Sequence, residues 1–310
     1  MKKLHARSST SELTFVAVTS RFHQGEQDVL TLTLIFIYSH SMILMTFLLI
    51  AHASDFHSPR TAALGGAGHA SPFLHDAIYL NPAYGSFHAT HSLGTSYYEA
   101  QGGHLKTNGW NTTVLDASSD ALFQAGVGFT RREDVSMLHV GASKSFLTRY
   151  GGGIGGKCLF FPTQLGNTRI NDLSLSIAAI PLSFLQLSFT VDNVLENARN
   201  YSSTFLREYV LGSKWSLSSL ITLYIDPHLT PGWKTPLGYE MGAELTAFQD
   251  FYIRFGSFRE ASIPFAATRG NGYAAGLGWL GPKLSIDYAS MRLLEPIIAI
   301  QHTIGIVIFF

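Results

Sequence analysis

A lone cysteine, Cys158, rules out an intrachain disulfide and reads as a small packed side chain. Charge is sparse as well. Only 14% of residues are Asp, Glu, Lys or Arg, against about 25% in a typical soluble domain. The 21 basic and 21 acidic side chains cancel, so there is no basic excess with which to hold nucleic-acid phosphates. Beyond residue 54 no stretch of helical period is found. Spacings of common reactive centres are missing too: there is no HExxH pair, no GxSxG elbow and no cysteine set for structural zinc. Neither an enzyme nor a cofactor or metal site is expected on this basis. His57, His69, His75, His88, His91 and His104 gather in one part of the chain but lack ligand spacing, and read as scattered polar contacts. Residues 151–158, GGGIGGKC, match a phosphate-loop pattern, yet Leu159-Phe160-Phe161-Pro162 follows where a helix is required. Those glycines read instead as a bendable strand that another backbone can approach closely.

What is abundant points elsewhere. Glycine (29 residues) and aromatics (13%) are plentiful, and the chain beyond residue 90 alternates with a period of two. Leu185, Leu187, Phe189 and Val191 alternate with Gln186, Ser188, Thr190 and Asp192; Tyr239, Met241, Ala243 and Leu245 alternate with Gly238, Glu240, Gly242 and Glu244. A strand apolar on one face and polar on the other suits the wall of a membrane barrel, lipid outside and lumen inside. A slip of one residue would put carboxylates into lipid, which pins the register. Candidate strands lie near 91–99, 104–115, 121–131, 135–145, 150–161, 170–180, 184–193, 205–216, 219–226, 238–247, 251–259, 272–280, 283–290 and 299–310. The expected fold is therefore an all-β, antiparallel transmembrane barrel of about fourteen strands. The longer connections at 193–204, 227–237 and 260–270 are expected on its extracellular side. Inward-facing candidates are Glu208, Lys214, Glu240, Glu244, Arg254, Lys283 and Asp287, whose mixed signs suit a filled lumen better than an ion-selective pore. Tyr97, Tyr98, Trp110, Tyr150, Trp215, Tyr224, Tyr239, Tyr252, Tyr273, Trp279 and Tyr288 supply material for interfacial girdles.

The two ends carry further signals. Residues 29–54 hold no charged side chain and finish in Ala51-His52-Ala53, a small-residue pattern of the kind cut by signal peptidase. Residues 1–53 therefore read as a signal sequence with an unusually long basic n-region (Lys2, Lys3, Arg7, Arg21). The competing reading is a transmembrane helix, for which about 20 apolar residues suffice. At the other end, residues 299–310 form one more alternating strand that finishes on Phe310. This ending resembles the C-terminal aromatic strand of bacterial outer-membrane proteins, which implies recognition of Phe310 by the barrel-assembly machinery.

Residues 54–90 show no clean alternation and are rich in Gly, Ala and His. They carry Arg60, then Gly65-Gly66-Ala67, then Asn81-Pro82-Ala83. This order resembles the opening of FadL-like (fatty-acid-transporter-like) outer-membrane barrels, including the smaller PorV- and PorQ-like proteins. The resemblance implies that residues 54–90 fold inside a barrel formed by 91–310, as a plug containing Arg60, Gly65, Gly66, Asn81, Pro82 and Ala83. Irregular backbone at membrane depth needs such cover; the alternative is a periplasmic tail with a short helix near 76–80. The resemblance also implies an outer-membrane location in a Gram-negative-type bacterium, among outer-membrane lipid, and passive passage of a small hydrophobic ligand. The alternative function is a non-transport anchor or secretion accessory of the PorV/PorQ kind, with a secretion-system protein as partner.

Overall fold

The computed structural model describes residues 56–88, 90–103, 105–117, 122–133, 135–163, 166–266 and 268–310. The expected signal sequence and its cleavage point near Ser54 lie outside the described residues, as does His104.

Fourteen strands form a closed barrel: β1 His91–Gly102, β2 Leu105–Asp116, β3 Gln124–Arg132, β4 Ser136–Phe146, β5 Tyr150–Thr163, β6 Gly166–Leu182, β7 Leu185–Asp192, β8 Glu208–Ser216, β9 Ile221–Leu229, β10 Leu237–Ala247, β11 Phe251–Ile263, β12 Thr268–Leu280, β13 Leu284–Glu295 and β14 Ala299–Phe309. Each strand pairs antiparallel with its sequence neighbours. Closure comes from β1 against β14, in a register running from Ser92 opposite Phe309 to Gln101 opposite Ile300. No edge strand is left to collect unsatisfied backbone groups, which is the condition for crossing a bilayer as sheet.

The two-residue period decides which way each side chain points. In β14, Ile304, Ile306 and Ile308 are exposed on the outer face, while Gln301, Thr303 and Val307 are buried inside. In β10, Tyr239 and Met241 face out and Glu240 and Glu244 face in. Tyr97, Trp110, Tyr150, Trp215, Tyr239, Tyr273 and Tyr288 belong to the outer surface, whereas Tyr98 and Tyr224 are turned inward and buried. Their place in the alternation, not their residue type, settles this.

Strand ends differ from the expected ones where local chemistry intervenes. β8 starts at Glu208 because Ser203–Phe205 is a 3-10 turn capped by the Ser202 hydroxyl. β9 runs through Pro227 to Leu229, although proline suggested a loop there. Pro227 has no N–H to give, and the β8–β9 ladder skips from Val210–His228 to Ser213–Ile225 at this point. The Ser213 N–H turns instead to Asp226 Oδ1, at 3.2 Å.

Residues 56–88 pack against the inward faces of the strands. Helix α1, Pro59–Ala63, lies against β11 to β14; helix α2, Ala77–Leu80, lies against β3 and β4; and the 3-10 turn Pro82–Phe87 lies against β4, β5 and β6. α1 begins at a serine cap: Ser58 Oγ accepts from the Thr61 N–H at 3.2 Å, with Pro59 in the first turn. Ser58 and Thr61 hydroxyls both donate to Asp76 Oδ2, at 2.7 and 3.1 Å, which ties α1 to the turn before α2. The short helix expected near 76–80 does form, but it lies beside the inner wall. Gly65 and Gly66 follow α1 with φ of 70° and 96°, a region that disfavours any residue with a Cβ. A Cβ on Gly65 would also meet the Ser257 backbone N at 2.9 Å, and one on Gly66 would overlap the Glu240 carboxylate.

Candidate functional site

The interior divides into a charged middle and an apolar end. In the middle, Arg60 of α1 spans to the wall: Nε and Nη2 donate to Glu244 at 3.2 Å each, and Nη2 also donates to the Tyr224 hydroxyl at 2.9 Å. Arg254 Nε donates to the same Glu244 at 2.7 Å and its Nη1 donates to Asp287 at 2.5 Å. Ser285 Oγ completes the chain with a 2.6 Å bond to Asp287. The arrangement therefore alternates cation and anion from the N-terminal segment into β13. Arg60 also lies over the Phe73 ring, 5.1 Å from its centroid.

A second cluster lies further along the same two strands, β9 and β10. Asp226 Oδ2 accepts from the backbone N–H of Gly68 (2.7 Å) and His69 (2.8 Å), and His69 Nδ1 stands 3.0 Å from it. Glu240 is 3.9 Å from the same imidazole nitrogen. Burial opposes a charge on His69, but the hydrogen bond and charge of Asp226, with the charge of Glu240, outweigh it and push its pKa up to about 9. His88 behaves in the opposite way. Burial dominates there, and with the charges of Arg60 and Lys214 it holds the imidazole at about 4. Nearby, Glu208 accepts from Arg269 at 2.8 Å and sits 3.7 Å from His228 Nδ1. Lys214 Nζ donates to Ser71 Oγ at 3.2 Å.

Of the inward-facing candidates, Glu208, Lys214, Glu240, Glu244, Arg254 and Asp287 all face the interior, and four of them, Lys214, Glu244, Arg254 and Asp287, hydrogen-bond to one another or to residues 56–88. Lys283 does not. It stands exposed in the turn between β12 and β13, because β13 starts one residue later, at Leu284. Asn81 is buried with Nδ2 donating to the His69 carbonyl at 2.7 Å, and the Ala83 N–H donates to Ser176 Oγ of β6 at 2.9 Å. Pro82 opens the 3-10 turn between them. Phe310 is mostly exposed, paired through its backbone with His91 in both directions and stacked on the His91 ring at 5.8 Å.

The sequence placed His69 in the segment expected inside the barrel but not its pairing with Asp226, and it did not mark Tyr224 and Asp226 as inward-facing. Tyr224 and Asp226 alternate with Leu223 and Ile225, a usable signal that the proline at 227 obscured. His69 carries no such signal, since it reaches Asp226 across 157 positions of sequence.

The apolar end is opposite the chain termini, where the longer connections gather. One cluster joins Phe258, Ile263, Phe265, Met291 and Leu293 with Tyr98; another joins Val135, Met137, Leu159, Phe161, Ile170 and Phe205. Among the described residues, two interior cavities adjoin the charged groups. One of about 40 Å³ touches Phe56, His69, Glu208, His228 and Glu240. The other, about 90 Å³, touches Arg60, Phe73, Glu244, Arg254 and Asp287. Each has room for ordered water. A benzene-sized guest occupies a cavity of about 150 Å³.

No protein-family model and no curated protein sequence matches this chain. Solved structures do. The fold is similar to the CymD monoaromatic hydrocarbon channel, with a TM-score of 0.58 at 12% identity, covering 84% of this chain and 98% of that one. It is similar to the Pseudomonas putida toluene transporter TodX, with 0.56 at 10% identity over 83% of this chain and 98% of that one. The Ralstonia pickettii toluene transporter TbuX gives 0.54 at 11% identity, over 82% and 98%. At such identities the likeness is one of fold. The chain is a fourteen-strand β-barrel of the outer-membrane type, as the resemblance to FadL-like barrels implied. Its apolar outer face fits that setting.

Proposed function

We propose that this barrel passes small hydrophobic compounds across the outer membrane by diffusion, with residues 56–88 acting as a plug. The observation that carries the reading is the division of the interior. At the end with the longer connections, Phe258, Phe265 and Met291 in one cluster and Phe161 and Phe205 in another pack into buried apolar cores, which an apolar guest would part at less cost than a hydrated one. The likeness in fold to channels described as carrying monoaromatic hydrocarbon and toluene supports the same class of substrate. A guest that parts these rings then meets the plug and the charged middle. Cavities of about 40 and 90 Å³ are smaller than such a guest needs, so passage requires the plug to shift. No energy source or cofactor enters this scheme; the concentration gradient drives it.

The test is uptake of labelled toluene by whole Gram-negative cells that express the protein and lack other hydrocarbon channels. Expression should raise the initial rate, and Phe265→Asp, which puts a charge into the apolar end, should remove most of the gain. An unchanged rate on expression, with the barrel assembled in the outer membrane, contradicts transport. It would leave the anchor or accessory role, to be sought by isolating secretion-system proteins bound to the barrel.

A further inference from the structure

His69 belongs to the N-terminal segment, whereas Asp226 and Glu240 belong to adjacent strands of the wall, and one ligand atom from each falls within 4.8 Å of the others. We propose that these three residues form a binding site for a divalent metal ion of the zinc class, which fastens the segment to the barrel wall. The claim stands apart from the transport reading, because metal can bind whether or not a guest passes.

Four observations carry it. First, the spacing fits: imidazole Nδ1 lies 3.0 Å from Asp226 Oδ2 and 3.9 Å from Glu240 Oε2. Ligands about 2.0–2.2 Å from a tetrahedral zinc are separated by a little over 3 Å, so small side-chain shifts suffice. Second, Glu240 is only 5% exposed, yet its carboxylate accepts no hydrogen bond among the described residues. A buried anion with one distant partner is costly, so the group takes up either a proton or a closer cation. Third, the charges balance. Two carboxylates and a neutral imidazole carry −2, which a divalent ion cancels; without the ion, two protons are needed for the same balance, one on His69 and one on Glu240. Fourth, the cavity of about 40 Å³ borders His69 and Glu240 and has room for a water as fourth ligand.

The surroundings also orient the ligands. Asp226 is held by three backbone N–H groups, of Gly68, His69 and Ser213, the kind of outer support that fixes metal-binding carboxylates. An imidazole with two carboxylates and so small a ligand number suits zinc better than calcium or magnesium, which take mostly oxygen and more ligands. The proton is the competing occupant.

The full chain, folded in detergent and stripped with chelator, should be titrated with zinc chloride by calorimetry, with the metal retained after gel filtration measured by elemental analysis. One zinc per chain is expected. Glu240→Gln and His69→Gln should each weaken binding roughly tenfold or more, since losing even an outer-shell partner of a metal ligand costs about 10–100-fold. His302→Gln, on the outer surface, should bind as the parent does. Heat-modifiable gel mobility reports whether each variant is folded; the near-isosteric Glu240→Gln decides the matter if His69→Gln is not. Retention of no zinc by the parent overturns the proposal, as does equal zinc binding by the parent and Glu240→Gln, which would mark surface histidines or a protonated His69 as the true state.

Discussion

Glu244 is where two guanidinium groups converge, Arg60 from the N-terminal segment and Arg254 from β11. Removing one member of a buried ion network leaves its partners without compensation, at a cost of about 3–5 kcal/mol. Glu244→Gln should therefore lower the unfolding free energy of the barrel in detergent by about that much, read from urea titrations. Arg60→Gln should lower it less, because Glu244 keeps Arg254. The double variant should be more stable than the sum of the two losses implies, since the uncompensated Arg60 charge is gone. Strict additivity would mean that Arg60 and Glu244 do not interact. Ile78 offers an apolar counterpart. It is 4% exposed, and Ile78→Ala should destabilise by about 2–5 kcal/mol.

Among elements, the contact between the segment and the wall depends on glycine. A Cβ on Gly256 of β11 would run into the backbone of Leu64 and Gly65, and one on Gly153 of β5 would run into Pro82 and Ala83. Backbone atoms cannot swing aside as a side-chain tip does. Gly256→Val and Gly153→Val should therefore leave the strands paired but displace residues 56–88, making them cleavable by added protease in the folded protein. Persistent protection would contradict the contact. The terminal strand makes a second prediction at this scale. Phe309 packs edge-on against Phe73 of the segment at 5.9 Å, and the Phe310 backbone pairs with His91. Deleting both should reduce assembly and protein level in the outer membrane. Unchanged level and heat-modifiable mobility would argue against an assembly signal there.

Strands were legible because each of them repeats one simple pattern. An inside and an outside that differ in polarity write themselves into every second residue, and β10 and β14 follow that pattern along their length. Strand ends were less legible, since pairing with a neighbour extends β9 through Pro227 and a serine-capped turn delays β8. Lys283 shows the same limit: parity put it inside, but parity holds only within a strand, and Lys283 precedes one. The interior clusters were least legible. Asp226 and Glu240 stand opposite each other in the β9–β10 register, but His69 reaches them only because the segment packs inside the wall, and no spacing along the chain encodes that.

At the scale of the whole molecule, a closed wall carries apolar clusters at one end, and residues 56–88 pack against its inner face. Mass spectrometry of the outer-membrane fraction should find a mature N-terminus near Ser54, and an intact, inner-membrane-anchored N-terminus would contradict the reading of residues 1–53. The central claim is that residues 56–88 close the lumen. Single-channel conductance in planar bilayers, compared between the intact protein and a variant lacking residues 55–87, tests it most directly. The intact barrel should conduct little, because residues 56–88 pack against the inner wall and the two cavities beside the charged groups hold only water-sized guests. The variant should insert and conduct well above it. It should also favour cations, because losing His69 leaves Asp226 and Glu240 facing water without it and losing Arg60 leaves Glu244 with Arg254 as its one guanidinium partner. Equal conductance in two correctly inserted proteins would contradict the claim.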